Sequence, residues 1–250
     1  MAAIPLHREE IDYPTSDGQP MAETTLHRKV MADLIAALEQ RYENDPGMWA
    51  GGNLLLYYEK GNVRASVAPD VLLAPVPKDD RPIYKLWEEG RPPCLVVEVT
   101  SSSTRNEDLR KKKSLYERLG VEEYFLFDPY GEYLSPRLQG HRLEDGRYSR
   151  ISPETDGSVL SRVAGLLFRP EGKNVRLIDA TTGERLLWIG EAAAARQSAE
   201  HQARLEAAAR RQEVAARHAA EERAAQVEQR ARLLEDELAR LRAELDRKPG

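Results

Sequence analysis

From Glu191 to Lys248 the sequence contains neither glycine nor proline. Ala, Glu, Arg, Leu and Gln fill the stretch, and that composition leaves one regular outcome, a long helix. Acids and bases occur in equal number there, twelve of each, so the helix is charge-balanced and is no basic arm. Val227, Ala231, Leu234, Leu238, Leu241 and Leu245 follow one another at steps of 4, 3, 4, 3 and 4, an a/d seam with Ala231, Leu238 and Leu245 at a. The frame runs back through Ala224 and Ala220 and fails at Arg217. Two readings follow: a self-associating coiled coil, or a lone charged helix that is partly a disordered tail. A helix of this kind draws most of its stability from whatever covers its apolar stripe.

The preceding 190 residues have a different grammar. Short apolar runs are punctuated by glycine, proline and aromatic residues, which predicts a mixed α/β domain over 21–190 after an irregular lead-in over 1–20, with the helical segment occupying 191–250. Residues 23–42 repeat apolar side chains at helical spacing and predict a first helix. Two strands flank a turn at Lys60–Gly61–Asn62, a third starts at Asp70, and "CLVVEVT" (94–100) reads as a buried strand. A helix closed by Gly120 follows, then the strand "EYFLFDP", a hairpin turning at Asp145–Gly146, and short strands at "LLFR", "VRLID" and "RLLWI", the last two parted by a turn at Thr182–Gly183.

Charge and cysteine content narrow the function classes. The net charge is −5 and the pI about 5.7, so there is no global basic field. Nucleic-acid binding then needs a local patch, or a cation that neutralises acids. Cys94 is the only cysteine, which rules out an intramolecular disulfide and a cysteine-rich zinc site. His7, His141, His201 and His218 lack ligand spacing. The first residues carry no secretory pattern, and no apolar run reaches the ~20 residues of a membrane span. The expected compartment is the cytoplasm.

"LVVEVTSSST" (95–104) holds the clearest chemical signal. Alternation puts Leu95, Val97 and Val99 on one face and Val96, Glu98 and Thr100 on the other. Glu98 is thus an acid inside a central apolar strand, either a structural acid paired with a nearby arginine or a functional one. Thr104 and Glu107 fit a capping box, so Thr104 is the expected N-cap of the next helix and Ser101–Ser103 the connection into it. In that helix Asp108, Lys112 and Tyr116 recur every four residues on one face. Lys112 lies between Leu109 and Tyr116 of the apolar stripe and is aimed at the layer of Glu98; the plain alternative is an Asp108–Lys112 surface pair. Asp70 opens a strand after Pro69, as a turn acid or as a partner of Glu98. Together Asp70, Glu98 and Lys112 are two carboxylates and an amine, a set suited to Mg²⁺ or Mn²⁺ and to phosphoryl chemistry.

These residues carry a resemblance. "PD" at 69–70 and "EVT" at 98–100 resemble the PD-(D/E)XK nuclease superfamily. The run "VVEVTSSSTRNEDLRKKKSLYERLGVEEYFLFDP" (96–129) resembles the bacterial Uma family, grouped with restriction endonucleases, over roughly residues 20–190. The resemblance implies a restriction-endonuclease-like core with a mixed sheet, flanking helices and extra β-hairpins. It also implies Mg²⁺- or Mn²⁺-dependent hydrolysis of DNA, with Asp70 and Glu98 as metal acids and catalytic residues. One departure stands out: the superfamily lysine would fall at Thr100, and Lys112 is the candidate to replace it. Glu23 is a further metal-shell candidate, or an acid that favours the helix dipole. His27 stands where the family has a recurrent histidine, as a supporting group or a plain helix residue. The expected activity is a metal-dependent endonuclease assembled as a homo-oligomer by its coiled coil. The alternative is a catalytically inactive relative that binds nucleic acid or protein.

Overall fold

The computed structural model describes residues 12–16, 24–101, 104 and 107–245, with side chains through residue 240. The chain forms two units, Met1–Glu191 and Ala192–Gly250. In order the elements are α1 (Thr25–Arg41), β1 (Trp49–Gly51), β2 (Leu55–Tyr57), β3 (Ser66–Val67), β4 (Val71–Ala74), β5 (Ile83–Lys85), α2 (Leu86–Glu89) and β6 (Leu95–Val99). A π-helical segment, Glu107–Lys112, then runs into α3 (Lys113–Leu119). There follow β7 (Glu123–Phe127), β8 (Leu138–Glu144), β9 (Arg147–Ile151), β10 (Val159–Ser161), β11 (Leu166–Glu171), β12 (Asn174–Asp179) and α4 (Ile189–Leu245).

The main sheet has the order β1-β4-β6-β7-β8-β9. Only β6 and β7 pair in parallel within it, joined by the crossover through α3. Strands covered on both faces can be apolar throughout, and β6 and β7 are buried at every position. Leu95, Val97, Val99, Phe125 and Phe127 pack on one face with α1 residues Val30, Leu34 and Leu38 and with Phe168 and Leu177 from the sheet β10-β11-β12. Val96, Tyr124 and Leu126 pack on the other with Tyr116 of α3 and with Leu56 and Tyr84 from the sheet β3-β2-β5. The mixed α/β class, with mixed sheets, flanking helices and a long C-terminal helix, is the one the sequence predicts. The alternation in 95–100 is also correct: the acid lies on the α3 side.

Some details differ. α1 starts at Thr25 rather than Glu23, because Thr24 is its N-cap and its hydroxyl accepts from the His27 amide at 3.1 Å. Glu23 itself lies outside the described residues, as do Ser102 and Ser103. β4 starts at Val71, one residue after Asp70. Thr104 does not form the expected capping box. Its hydroxyl accepts from the Ser101 amide at 3.1 Å, and the Glu107 amide donates to the Thr104 carbonyl at 2.9 Å. The strand expected at "RLLWI" is absent: only an isolated bridge joins Arg185 to Ile178, and Ile189 already belongs to α4. Trp188 there stacks under the Arg176 guanidinium at 3.5 Å from the ring centroid, so side-chain packing replaces a ladder. The Asp145–Gly146 hairpin is as expected, with φ of 50° and 76° that match the twist of β8 and β9. No helix among the described residues is long and apolar enough to cross a membrane.

Candidate active site

Antiparallel pairing of β4 with β6 sets Val71 opposite Val97, which brings the preceding residue, Asp70, beside Glu98. The approach needs a glycine. A Cβ on Gly52 would come 2.0 Å from the Asp70 carbonyl oxygen, and the next residue, Asn53, takes a φ of 53° and donates its amide to the Pro69 carbonyl at 2.8 Å. Asp70 Oδ2 accepts from the Val99 amide at 2.7 Å and meets His27 Nε2 at 3.1 Å. Burial pushes the Asp70 carboxyl up, but the His27 hydrogen bond, Lys112 and the Val99 amide outweigh it, and the pKa is held below the usual value. Oδ1 has no donor on it among the described residues.

Glu98 is fully buried. Its Oε2 accepts from Lys112 Nζ at 2.8 Å and its Oε1 from the Tyr116 hydroxyl at 2.8 Å. Lys112 Nζ also lies 3.3 Å from Asp108 Oδ1. Asp108 is 1 % exposed, and among the described residues its carboxylate is approached by Lys112 and by the Thr104 side chain. The Tyr124 hydroxyl fixes the same turn by donating to the Asp108 carbonyl at 3.0 Å. The π-helical winding of 107–112 delivers both Asp108 and Lys112 to one spot, a distortion that often marks functional positions. The sequence reading of one face for Asp108, Lys112 and Tyr116 agrees with these contacts.

The electrostatics are unbalanced. Three acids, Asp70, Glu98 and Asp108, converge on a single ammonium. Burial would lower the Lys112 pKa, but Glu98, Asp108 and Asp70 together raise it, so this lysine stays charged. Burial pushes Glu98 well up, against Lys112 and with the help of Asp70 and Asp108, and it pushes Asp108 up as well. Lys112 is therefore held as a cation among these acids. Thr100 lies on the Glu98 face, 2 % exposed. Its amide donates to Phe127 at 2.7 Å, and its hydroxyl has no hydrogen-bond partner.

The donor set fits a hard divalent cation. Fully ionised, the three acids exceed the Lys112 ammonium by two charges, and by one where His27 is protonated against Asp70, while burial drives Glu98 towards its neutral form. Glu98 keeps lone pairs beyond those used by Lys112 and Tyr116. Among the described residues no three His, Cys, Asp or Glu side chains form a metal-holding group.

The sequence reading missed two contributors. Gly52 was legible as part of "GGN", a turn signal, but its partner was not. Asp128 ends β7, and its carboxylate accepts from the amides of Tyr130, Gly131, Tyr133 and Leu134 at 3.0, 2.9, 2.5 and 3.0 Å, which fixes the loop that follows.

Comparison with known proteins adds identity to this geometry. No curated protein matches. Among solved structures, the crystal structure of a "putative nuclease belonging to DUF820" from Anabaena variabilis is similar, with a TM-score of 0.44 and 14% identity over 58% of this chain and 76% of that one. A family model, Uma2, described as "Putative restriction endonuclease", matches residues 2–169, which span the whole acid cluster and two thirds of the sequence. The chain belongs to the Uma2 family.

Proposed function

We propose that the domain is an endonuclease that hydrolyses DNA phosphodiester bonds with Mg²⁺ or Mn²⁺. The observation that carries this reading is the surplus of buried carboxylate around Lys112. A divalent ion held by Asp70 and Glu98, with Glu23 as a further shell acid, would supply a Lewis acid and a water of lowered pKa. The chain's own groups have separable tasks. His27 and the Val99 amide orient the Asp70 carboxylate, and Tyr116 holds Glu98. Lys112 keeps its proton and presents positive charge where negative charge develops on a phosphoryl oxygen. Asp108 keeps Lys112 charged and in place. Thr100 is neutral and short, so the superfamily lysine's work passes to Lys112. The test is cleavage of supercoiled plasmid with Mn²⁺ or Mg²⁺. Wild type nicks or linearises it, whereas Glu98→Ala and Lys112→Ala do not; undiminished cleavage by Glu98→Ala contradicts the assignment.

A second reading, a silent nucleic-acid or protein-binding relative, draws on Thr100 at the lysine position and on the hydrogen bonds already made to both Glu98 oxygens. Calorimetric titration with Mn²⁺ separates the two: metal binding with cleavage supports the enzyme, and an absence of both supports the binding module. For α4 we propose pairing with a second copy in a coiled coil. Val227, Leu234 and Leu238 are 70%, 52% and 54% exposed, an apolar seam of the spacing that coiled coils bury. Light scattering on the full chain checks this: Leu234→Glu with Leu238→Glu yields monomers, and an unchanged mass contradicts it. A DNA substrate is consistent with action in the cytoplasm.

A further inference from the structure

Beside the acid cluster lies a cavity of about 230 Å³, whose lining includes Thr24, His27, Thr100, Ser101, Tyr130 and Glu132. It adjoins the site directly, since His27 bonds Asp70 and Thr100 follows Glu98 by two residues on the same strand face. Among the described residues the buried Thr100 hydroxyl has no partner, an arrangement that costs free energy unless something else completes it. Opposite in character is Tyr130, which is 48% exposed although most large aromatic side chains of the domain are buried. The backbone beneath its ring is held in place. The four amides on Asp128 fix the loop 128–134 and thereby the position of Tyr130. The Lys173 ammonium lies 4.8 Å from the ring centroid and adds a cation to the same surface.

We propose that this cavity is a nucleoside subsite of the nuclease, taking one unpaired nucleotide of single-stranded DNA with its base stacked on Tyr130. The inference rests on the nuclease reading and adds the form of the substrate, an unpaired segment, which the underwound strands of supercoiled plasmid also offer. A rigid, exposed aromatic ring near cations is the recurrent platform for single strands, because every base has a face to stack. The Thr100 hydroxyl supplies a hydrogen bond to the sugar or phosphate, and Glu132 supplies an acceptor for a base amino group. The volume is below the roughly 300–1,000 Å³ typical of small-molecule sites, so it has room for a single nucleoside and none for a duplex. A nucleotide seated there lies against His27, whose Nε2 meets Asp70 at 3.1 Å.

The test is equilibrium binding of the full chain, in EDTA so that nothing is cut, to a fluorescent single strand and to a blunt two-stranded duplex with no unpaired bases. Tyr130→Ala weakens single-strand binding about tenfold and leaves the duplex within about twofold, while Tyr130→Phe binds as wild type does. All three proteins are compared by thermal melting, so that a folding defect is not read as a binding defect. Single-strand affinity unchanged in Tyr130→Ala, or an equal loss on both substrates, overturns the subsite. Plasmid cleavage by wild type and Glu98→Ala is run in parallel. Glu98-dependent cleavage with an unchanged Tyr130→Ala rejects the subsite alone; a Tyr130-dependent single-strand loss without any cleavage rejects the nuclease reading alone.

Discussion

Glu98 and Glu123 sit on the two parallel strands β6 and β7, and both are fully buried. Their surroundings differ in charge balance. Glu123 has a guanidinium of its own: Arg142 Nε and Nη2 reach its Oε1 at 2.9 and 2.8 Å, the Ser161 hydroxyl donates to Oε2 at 2.5 Å, and the Arg162 amide donates to Oε1 at 3.0 Å. One acid meets one cation, and neutral donors fill the remainder. Glu98 shares its single cation with Asp108 and Asp70. Burial alone therefore does not separate a structural acid from a functional one. On the proposed reading the ledger of charge around it does, because collecting three carboxylates on one amine costs free energy that a bound cation or a reaction would offset.

If that contrast is correct, Lys112→Met has the largest effect. It lowers cleavage by a factor on the order of 10²–10³ or more, the scale of losing one group that stabilises developing charge; a fluorogenic strand-cleavage assay reads it. Next comes Glu123→Gln, which leaves Arg142 without its counter-charge and lowers stability by about 3–5 kcal/mol in urea denaturation. Cleavage per folded molecule stays unchanged in that variant, and a selective loss of activity would break the comparison. A smaller effect distinguishes the two acids without any assay of turnover. Mg²⁺ at a hundred times its Kd adds about 2.7 kcal/mol of stability to wild type and to Glu123→Gln, and little to Glu98→Gln. Thermal melting with and without the ion shows it.

A last effect concerns pH, lies outside the acid pair and guards the comparison against misattribution. His141 pairs with Tyr124 across β7 and β8, and burial, with Lys113 nearby, depresses its pKa from 6.5 to about 4. The unfolded chain takes up this proton from 6.5 downwards while the folded chain resists it. Stability from this group is therefore complete above pH 6.5 and is lost as pH falls towards about 4. His141→Gln flattens that part of the profile in urea titrations at several pH values. A slope identical to wild type would assign the acid sensitivity to other groups.

The legibility of the molecule divides along physical lines. Strand β6 and its faces were readable because a strand buried on both sides is apolar throughout, and one acid stands out in it. Lys112 was readable because helical spacing placed it among Leu109 and Tyr116, and the π-helical winding of 107–112 changed the route without changing the destination. The long helix α4 follows from the absence of any breaker. Other features depend on partners remote in sequence. Glu123 looks like any strand-edge acid until Arg142 and Ser161 are folded against it. The three-residue strands β1 and β5 are too short for a pattern, and they exist through pairing with β4 and β2. "RLLWI" has strand composition, yet Trp188 is used to cover Arg176. The loop held by Asp128 has no signature beyond an Asp-Pro pair, since its order comes from four amides turning back onto one carboxylate.

The central claim is that surplus charge, and not burial, identifies the working acid. The most direct measurement is Mn²⁺-dependent nicking of supercoiled plasmid by wild type, Glu98→Gln and Glu123→Gln, each normalised to its folded fraction. The account predicts that Glu123→Gln cuts as wild type does and that Glu98→Gln does not cut. Equal cleavage by the two variants, or loss only in Glu123→Gln, would contradict it.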